Sequence, residues 1–290
     1  LVGVIACLLT ERLFGSTPGS IADGSAMITG LLLGLTLPPG FPLWMAFLGG
    51  FFGMAFGKII FGGLGQNIFN PALVGRAFLQ AAFPVAITTW PSKSQHWWAL
   101  QGDNLALPFM SPVVDTATAA TPLGNLKFSD DPVVTPLFDL FFGTTSGSLG
   151  ETSALFILIG GLYLAWRGHL NWHIPLSIFV STFVVSGLFY AIGISQFPPL
   201  FMLFSGGIML GAFYMATDMV TSPVTNKGCW MFGFGIGFLT VIIRIWGGLP
   251  EGVMYSILLM NAMVPFINRA SQPRLFGTSG KKKSTQEDAS

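Results

Sequence analysis

Charge is what this sequence has least of. Only 9% of its 290 residues are Asp, Glu, Lys or Arg, against about 25% in soluble domains. That deficit excludes an ordinary water-soluble fold, whose solvated surface is covered by those four residue types. A net charge of +1 provides no electrostatic footprint for nucleic acid. Cysteine is scarce as well. Cys7 and Cys229 stand far apart with no CxxC pair, so neither a disulfide framework nor a self-contained metal site is readable. The three histidines, His96, His169 and His173, lack HExxH or similar metal spacing. His169 and His173 are four residues apart, but they flank Trp172 in a short loop and read as an interfacial turn. No GxGxxG follows a strand-like run, so no dinucleotide fold is indicated. No basic stretch precedes the apolar start Leu1-Val-Gly-Val-Ile-Ala-Cys7, which separates it from a signal peptide; it reads as the tail of a span that begins upstream.

Apolar length is present in plenty. The chain is 52% hydrophobic, with 28 Phe and 37 Gly, and its mean hydropathy is +0.68. A helix needs roughly 20 apolar residues to cross a bilayer, and glycine lets such helices approach closely. The pattern predicts an all-α polytopic membrane protein. Apolar segments fall at 1–9, 23–37, 41–61, 72–85, 152–166, 172–192, 199–216, 229–246 and 252–267. The segment 23–37 is too brief to cross unaided and reads as a half-helix. The chain divides into a first membrane half (1–85), an extracytoplasmic insertion (86–151), a second membrane half (152–268) and a basic tail (269–290). Arg269, Arg274 and Lys281-Lys-Lys283 put that tail in the cytoplasm by the positive-inside rule. Counting back span by span puts Arg12, Lys58, Arg167 and Lys227 on the same side. The insertion falls outside, with Asp103, Asp115, Asp130, Asp131, Asp139 and Glu151; Arg244 is an exception to the bias. Ser25-Ala-Met-Ile-Thr-Gly30 and Ser153-Ala-Leu-Phe-Ile-Leu158 open segments that run in opposite directions in this count, the pattern of an inverted repeat.

Polar backbone interrupts the apolar runs at Asp23-Gly-Ser25, at Asn67-Ile-Phe-Asn70-Pro71 and at Thr217-Asp218-Met-Val-Thr221-Ser222-Pro223. Non-helical backbone at membrane depth survives only where protein or a cavity covers it, and half-helix ends hold substrates or ions in transporters. Any one of the three reads as readily as a surface loop; together they favour a central site. Arg76 lies inside a span, where a lone cation is costly. It can neutralise a ligand phosphate, pair with an acid such as Asp23 or Asp218, or serve as a purely structural ion pair. Glu151 and Glu251 each open a span and suit the positive end of a helix. The alternating Gly233, Gly235 and Gly237 suit close packing. In the insertion, Asp115-Thr-Ala-Thr-Ala-Ala-Thr-Pro-Leu-Gly124 is hydroxyl-rich and makes a poor helix or strand, because Thr and Asp compete for backbone hydrogen bonds. On residues alone it is a Thr/Ala loop or an ST-turn as readily as a segment exposed for modification.

Resemblance to a known family separates those readings. Asp115-Thr-Ala-Thr118-Ala-Ala-Thr121 resembles the flavinylation motif Asp-x-x-(Ser/Thr)-Gly-Ala-Thr, with Ala119 where Gly is common. Five further stretches resemble the same family: Asp23-Gly-Ser-Ala-Met-Ile-Thr-Gly-Leu-Leu-Leu33, Gly63-Leu-Gly-Gln-Asn-Ile-Phe-Asn-Pro-Ala-Leu-Val-Gly-Arg-Ala-Phe78, Gly147-Ser-Leu-Gly-Glu-Thr-Ser153, Ala216-Thr-Asp-Met-Val-Thr-Ser-Pro223 and Pro250-Glu-Gly252. The chain is similar to the D-type membrane subunits of the Rnf electron-transport complex (RnfD), which are homologous to the B-type subunits of the sodium-translocating NADH:quinone reductase. The resemblance implies ten helices, against the nine segments counted, with some broken into half-helices and an inverted repeat. It implies FMN esterified to Thr121, with Asp115 and Thr118 as recognition residues for a flavin transferase, and a second, non-covalent riboflavin in the membrane part. Arg76 becomes a candidate for steadying anionic flavin. The implied work is electron relay within a ferredoxin:NAD+ oxidoreductase of the bacterial inner membrane, coupled to Na+ or H+ translocation. Its partners would be the other Rnf subunits, iron–sulfur and flavin-bearing ones among them, and membrane lipid. A channel or transporter subunit without redox work, or a scaffold for partner subunits, are the competing classes.

Overall fold

Proline, glycine and small polar residues decide where the helices stop. In the computed structural model the described residues are 1–15, 20–90, 102–108, 121–128, 135–143, 145–148 and 150–273. Asp115, Thr118 and most of the basic tail lie outside them. Every regular element among the described residues is helical. The chain runs α1 (Val2–Phe14), α2 (Ser25–Leu35), α3 (Leu43–Gly57) and α4 (Pro71–Ala82), with the short α5 (Pro84–Thr88) following Phe83. The insertion supplies α6 (Pro122–Phe128) and α7 (Leu137–Phe142). Then come α8 (Ala154–Trp166), α9 (His173–Ala191), α10 (Pro199–Phe204), α11 (Ile208–Leu210) with a π-helical turn over Gly211–Met215, α12 (Asn226–Trp246) and α13 (Val253–Ser271).

Four stretches, Leu43–Phe61, His173–Ala191, Asn226–Trp246 and Val253–Ser271, are long and apolar enough to cross a membrane; α2 and α8 are shorter apolar helices. The sequence reading of 199–216 as one span needs correction. The helix breaks after Phe204, because Gly206 sits at φ +64 and Ser205 is extended.

Glycine faces set the helix spacing. At Gly53 an added Cβ would lie 2.7 Å from the Pro71 carbonyl oxygen, and at Gly75 2.6 Å from that of Gly49, so α3 and α4 touch backbone to backbone. Likewise Gly233 and Gly237 of α12 receive Ser177 and Ser181 of α9. Such small-residue contacts replace the hydrophobic drive that lipid removes.

Asn70 does two jobs at the start of α4. Its Oδ1 accepts from the Ala72 amide at 3.0 Å, and its Nδ2 donates to the Met215 carbonyl at 3.1 Å. In the sequence Asn70-Pro71 reads as polar backbone before an apolar segment; the structure makes Asn70 the cap, followed by proline at the first helical position. Asn70→Ala removes the cap and leaves a buried carbonyl unpaired, an expected loss of about 2 to 4 kcal/mol, to be measured by thermal unfolding of the detergent-solubilised chain.

The insertion does not stand apart. Leu123, Leu126 and Leu140 are buried with Val185, Phe197, Phe201, Met202 and Val241, which seats α6 and α7 on the ends of α9, α10 and α12.

Candidate functional site

Thr121 opens α6. Its Oγ1 accepts from the Gly124 amide at 3.1 Å, capping the first turn, and Leu123 and Leu126 bury the next turn. Thr121 lines a cavity of about 470 Å³. Trp90, Phe128, Arg76, Glu251 and Tyr255 are among the other residues that line it. The volume falls in the range of small-molecule pockets, about 300 to 1,000 Å³. Three aromatic rings suit a flat ligand.

The floor is ionic. Arg76 Nη1 bonds Glu151 Oε1 at 2.9 Å, and Nη2 bonds Glu251 Oε2 at 2.9 Å. Glu251 is the member that faces the cavity: its side chain is 25% exposed, against 5% for Glu151. A second cation lies deeper. Arg244 is fully buried and donates to the Met202 carbonyl at 2.6 Å and the Ser205 carbonyl at 3.0 Å. The break in the helix at 205–207 is what makes room. A Cβ at Gly206 would sit 2.8 Å from Glu251 Oε1 and 3.1 Å from Arg244 Nη2, and one at Gly207 would sit 2.7 Å from Glu151 Oε1. Two arginines and two glutamates thus form a compact set of zero formal charge, the condition under which buried ions are tolerated. Gly206→Ala adds both a positive-φ penalty and a collision with that set; the expected loss is about 2 to 4 kcal/mol, read as a lowered melting temperature in detergent.

Lys127 closes the same end of the bundle. Its Nζ donates to the carbonyls of Arg244 (2.7 Å), Gly247 (2.5 Å) and Leu249 (3.1 Å). Burial, with the Arg244 guanidinium nearby, holds its ammonium below the usual lysine range.

Not every sequence-derived candidate gathers here. Arg76 does not pair with Asp23 or Asp218. Asp218 accepts from the Val220 amide and the Thr221 hydroxyl in its own turn. Asp23 accepts from the Ser25 amide and hydroxyl, and Ser25 in turn receives Lys58, which also pairs with the buried Glu11. Among the described residues no group of His, Cys, Asp or Glu could hold a metal. His173 bonds Asn171 and stacks on Trp172. Glu151 and Glu251 were legible only as helix openers. One signal could have joined them to Arg76: both follow a glycine-bearing turn at the end of the bundle toward which α4 runs.

The family model described as NQR2, RnfD, RnfE matches residues 1–277. The chain is 43% identical over 290 residues to the D component of the proton-translocating ferredoxin:NAD(+) oxidoreductase complex of Clostridium ljungdahlii, covering 96% of this chain and 83% of that one. It is 41% identical over 285 residues to the D component of the Na(+)-translocating complex of Acetobacterium woodii, covering 97% and 82%. It is 40% identical over 300 residues to the D component of the ion-translocating oxidoreductase complex of Stutzerimonas stutzeri, covering 96% and 82%.

Proposed function

The chain belongs to the NQR2, RnfD, RnfE family, and from that premise we propose that it is the flavin-bearing membrane subunit of an ion-translocating ferredoxin:NAD+ oxidoreductase. Its place is the bacterial inner membrane, beside the other Rnf subunits, with the Thr121 end of the bundle outside and the C-terminus in the cytoplasm. The observation that carries the flavin reading is that Thr121 lines one cavity together with Trp90, Phe128, Tyr255 and Arg76. FMN esterified to that hydroxyl would supply one- and two-electron carrier chemistry, which is what a relay between ferredoxin and NAD+ requires. Trp90, Phe128 and Tyr255 offer faces on which a tricyclic ring can stack, and Glu251 keeps Arg76 oriented at the wall. Asp115 and Thr118 are the residues by which a flavin transferase would recognise the segment. A non-covalent riboflavin in the membrane part belongs to the same reading.

The packing supports a repeat, and ten helices in an inverted arrangement belong to the same reading. α1 packs on α2 and α3, and α3 on α4, as α9 packs on α10 and α12, and α12 on α13. Lys58 at the end of α3 and Arg244 at the end of α12 are both buried cations, each bonded to the broken segment of its own group. That alignment pairs α2 with the 199–215 segment, so the Ser25 and Ser153 echo is not the matching pair.

The test is intact mass and in-gel fluorescence of the chain made together with its flavin transferase. The reading expects one FMN per chain, on the peptide holding Thr121. A dark chain of unmodified mass rejects flavinylation, and ion uptake by the subunit alone in liposomes without an electron donor would favour a channel.

A further inference from the structure

We propose that Lys127 is the positioning residue that keeps Thr121 over the cavity, by clamping the helix that carries it to the end of α12. The inference rests on the reading of Thr121 as the flavin anchor.

α6 has seven residues, too few to persist as a helix without tertiary support. Leu123, Leu126 and Lys127 are three and four residues apart and so share one face. The two leucines are buried against Phe201, Met202 and Val241; such contacts fix how deep the helix sits but carry little directional information. The Lys127 ammonium supplies direction. It takes three carbonyls, from Arg244, Gly247 and Leu249, at a helix end where the last carbonyls have no donor of their own. Among the described residues no carboxylate lies within ion-pair distance of it. Its charge is therefore spent on backbone geometry. Residues 248–251, which include the carbonyl of Leu249, line the cavity with Gly124 and Phe128, so one amine ties the helix of Thr121 to another part of the cavity's lining. Without it, α6 keeps its depth and loses its orientation, and a group hung on Thr121 would swing toward solvent.

The experiment compares wild type, Lys127→Met and Lys127→Arg, each made with the transferase. The readings are intact mass, steady-state anisotropy of the attached flavin, and its quenching by iodide. Lys127→Met is expected to carry one FMN, because the residues that specify attachment are untouched, but with lower anisotropy and an iodide quenching constant raised about threefold or more. Lys127→Arg, which restores charge and donors, is expected to return both readings toward wild type. Wild-type anisotropy and quenching in Lys127→Met overturn the proposal. So does loss of attachment in a chain of unchanged melting temperature, which would assign Lys127 to transferase recognition. Should Lys127→Met fail to accumulate, Lys127→Gln, with a donor for one carbonyl, is read the same way: intermediate quenching supports the clamp and wild-type quenching sinks it. An unmodified wild type rejects the flavin reading itself and is distinguishable from all of these.

Discussion

Thr121→Ala, made beside the flavin transferase, is expected to yield a folded chain with no covalent flavin, dark in the gel and unmodified in mass. The effect is all or none because an alanine offers no oxygen for the phosphoester. The fold should survive. Losing the Thr121 hydroxyl removes one capping bond to the Gly124 amide, a cost of about 1 kcal/mol, while Leu123, Leu126 and Lys127 keep α6 in place. A melting temperature within a few degrees of wild type would therefore assign the loss to chemistry rather than to misfolding. A fluorescent Thr121→Ala band would move the attachment to another hydroxyl.

The second large effect is expected at Arg76. Replacing it with methionine keeps much of the volume but strands Glu151, which is buried, beside Glu251. Removing one member of a buried ion pair typically costs about 3 to 5 kcal/mol, and here two carboxylates lose the partner that each meets at 2.9 Å. The variant should unfold well below wild type in detergent. Adding Glu151→Gln returns the set to zero formal charge, with Glu251 still near Arg244 across Gly206, so Arg76→Met with Glu151→Gln should recover part of the loss. A double variant no better than the single would show that packing around the guanidinium, rather than charge balance, sets the stability.

These residues show how far a sequence reading reaches. α9, α12 and α13 were legible because each is a long apolar run with polar ends. The start of α4 was legible to within a residue, because the apolar segment 72–85 follows the polar break 67–71; that Asn70 caps the helix came from the structure. The Arg76 partners were not, because they lie 75 and 175 residues away and nothing in the local pattern specifies pairing at that range. Ser205-Gly-Gly207 passed for part of a span since a short small-residue stretch in an apolar run is tolerated in membrane helices; its break exists to admit two carboxylates. Lys127 left no local trace at all. A lysine in a polar stretch reads as a solvated charge, and only the carbonyls brought over by α12 give it a task.

The bonds by which Asn70 and Arg76 tie α4 to the later part of the chain have a mechanical consequence. Asn70 holds Met215 near one end of the helix and Arg76 holds Glu151 and Glu251 further along, about 9 Å apart along the axis at 1.5 Å per residue. Two pins on one rod prevent tilt as well as slide. The four early helices, already locked by glycine contacts between α3 and α4, therefore cannot rock against the later ones without extracting a buried ion or a capping amide. This chain is built as a stiff frame, a construction suited to carriers that must stay at fixed separations and ill suited to a machine that works by swinging its halves.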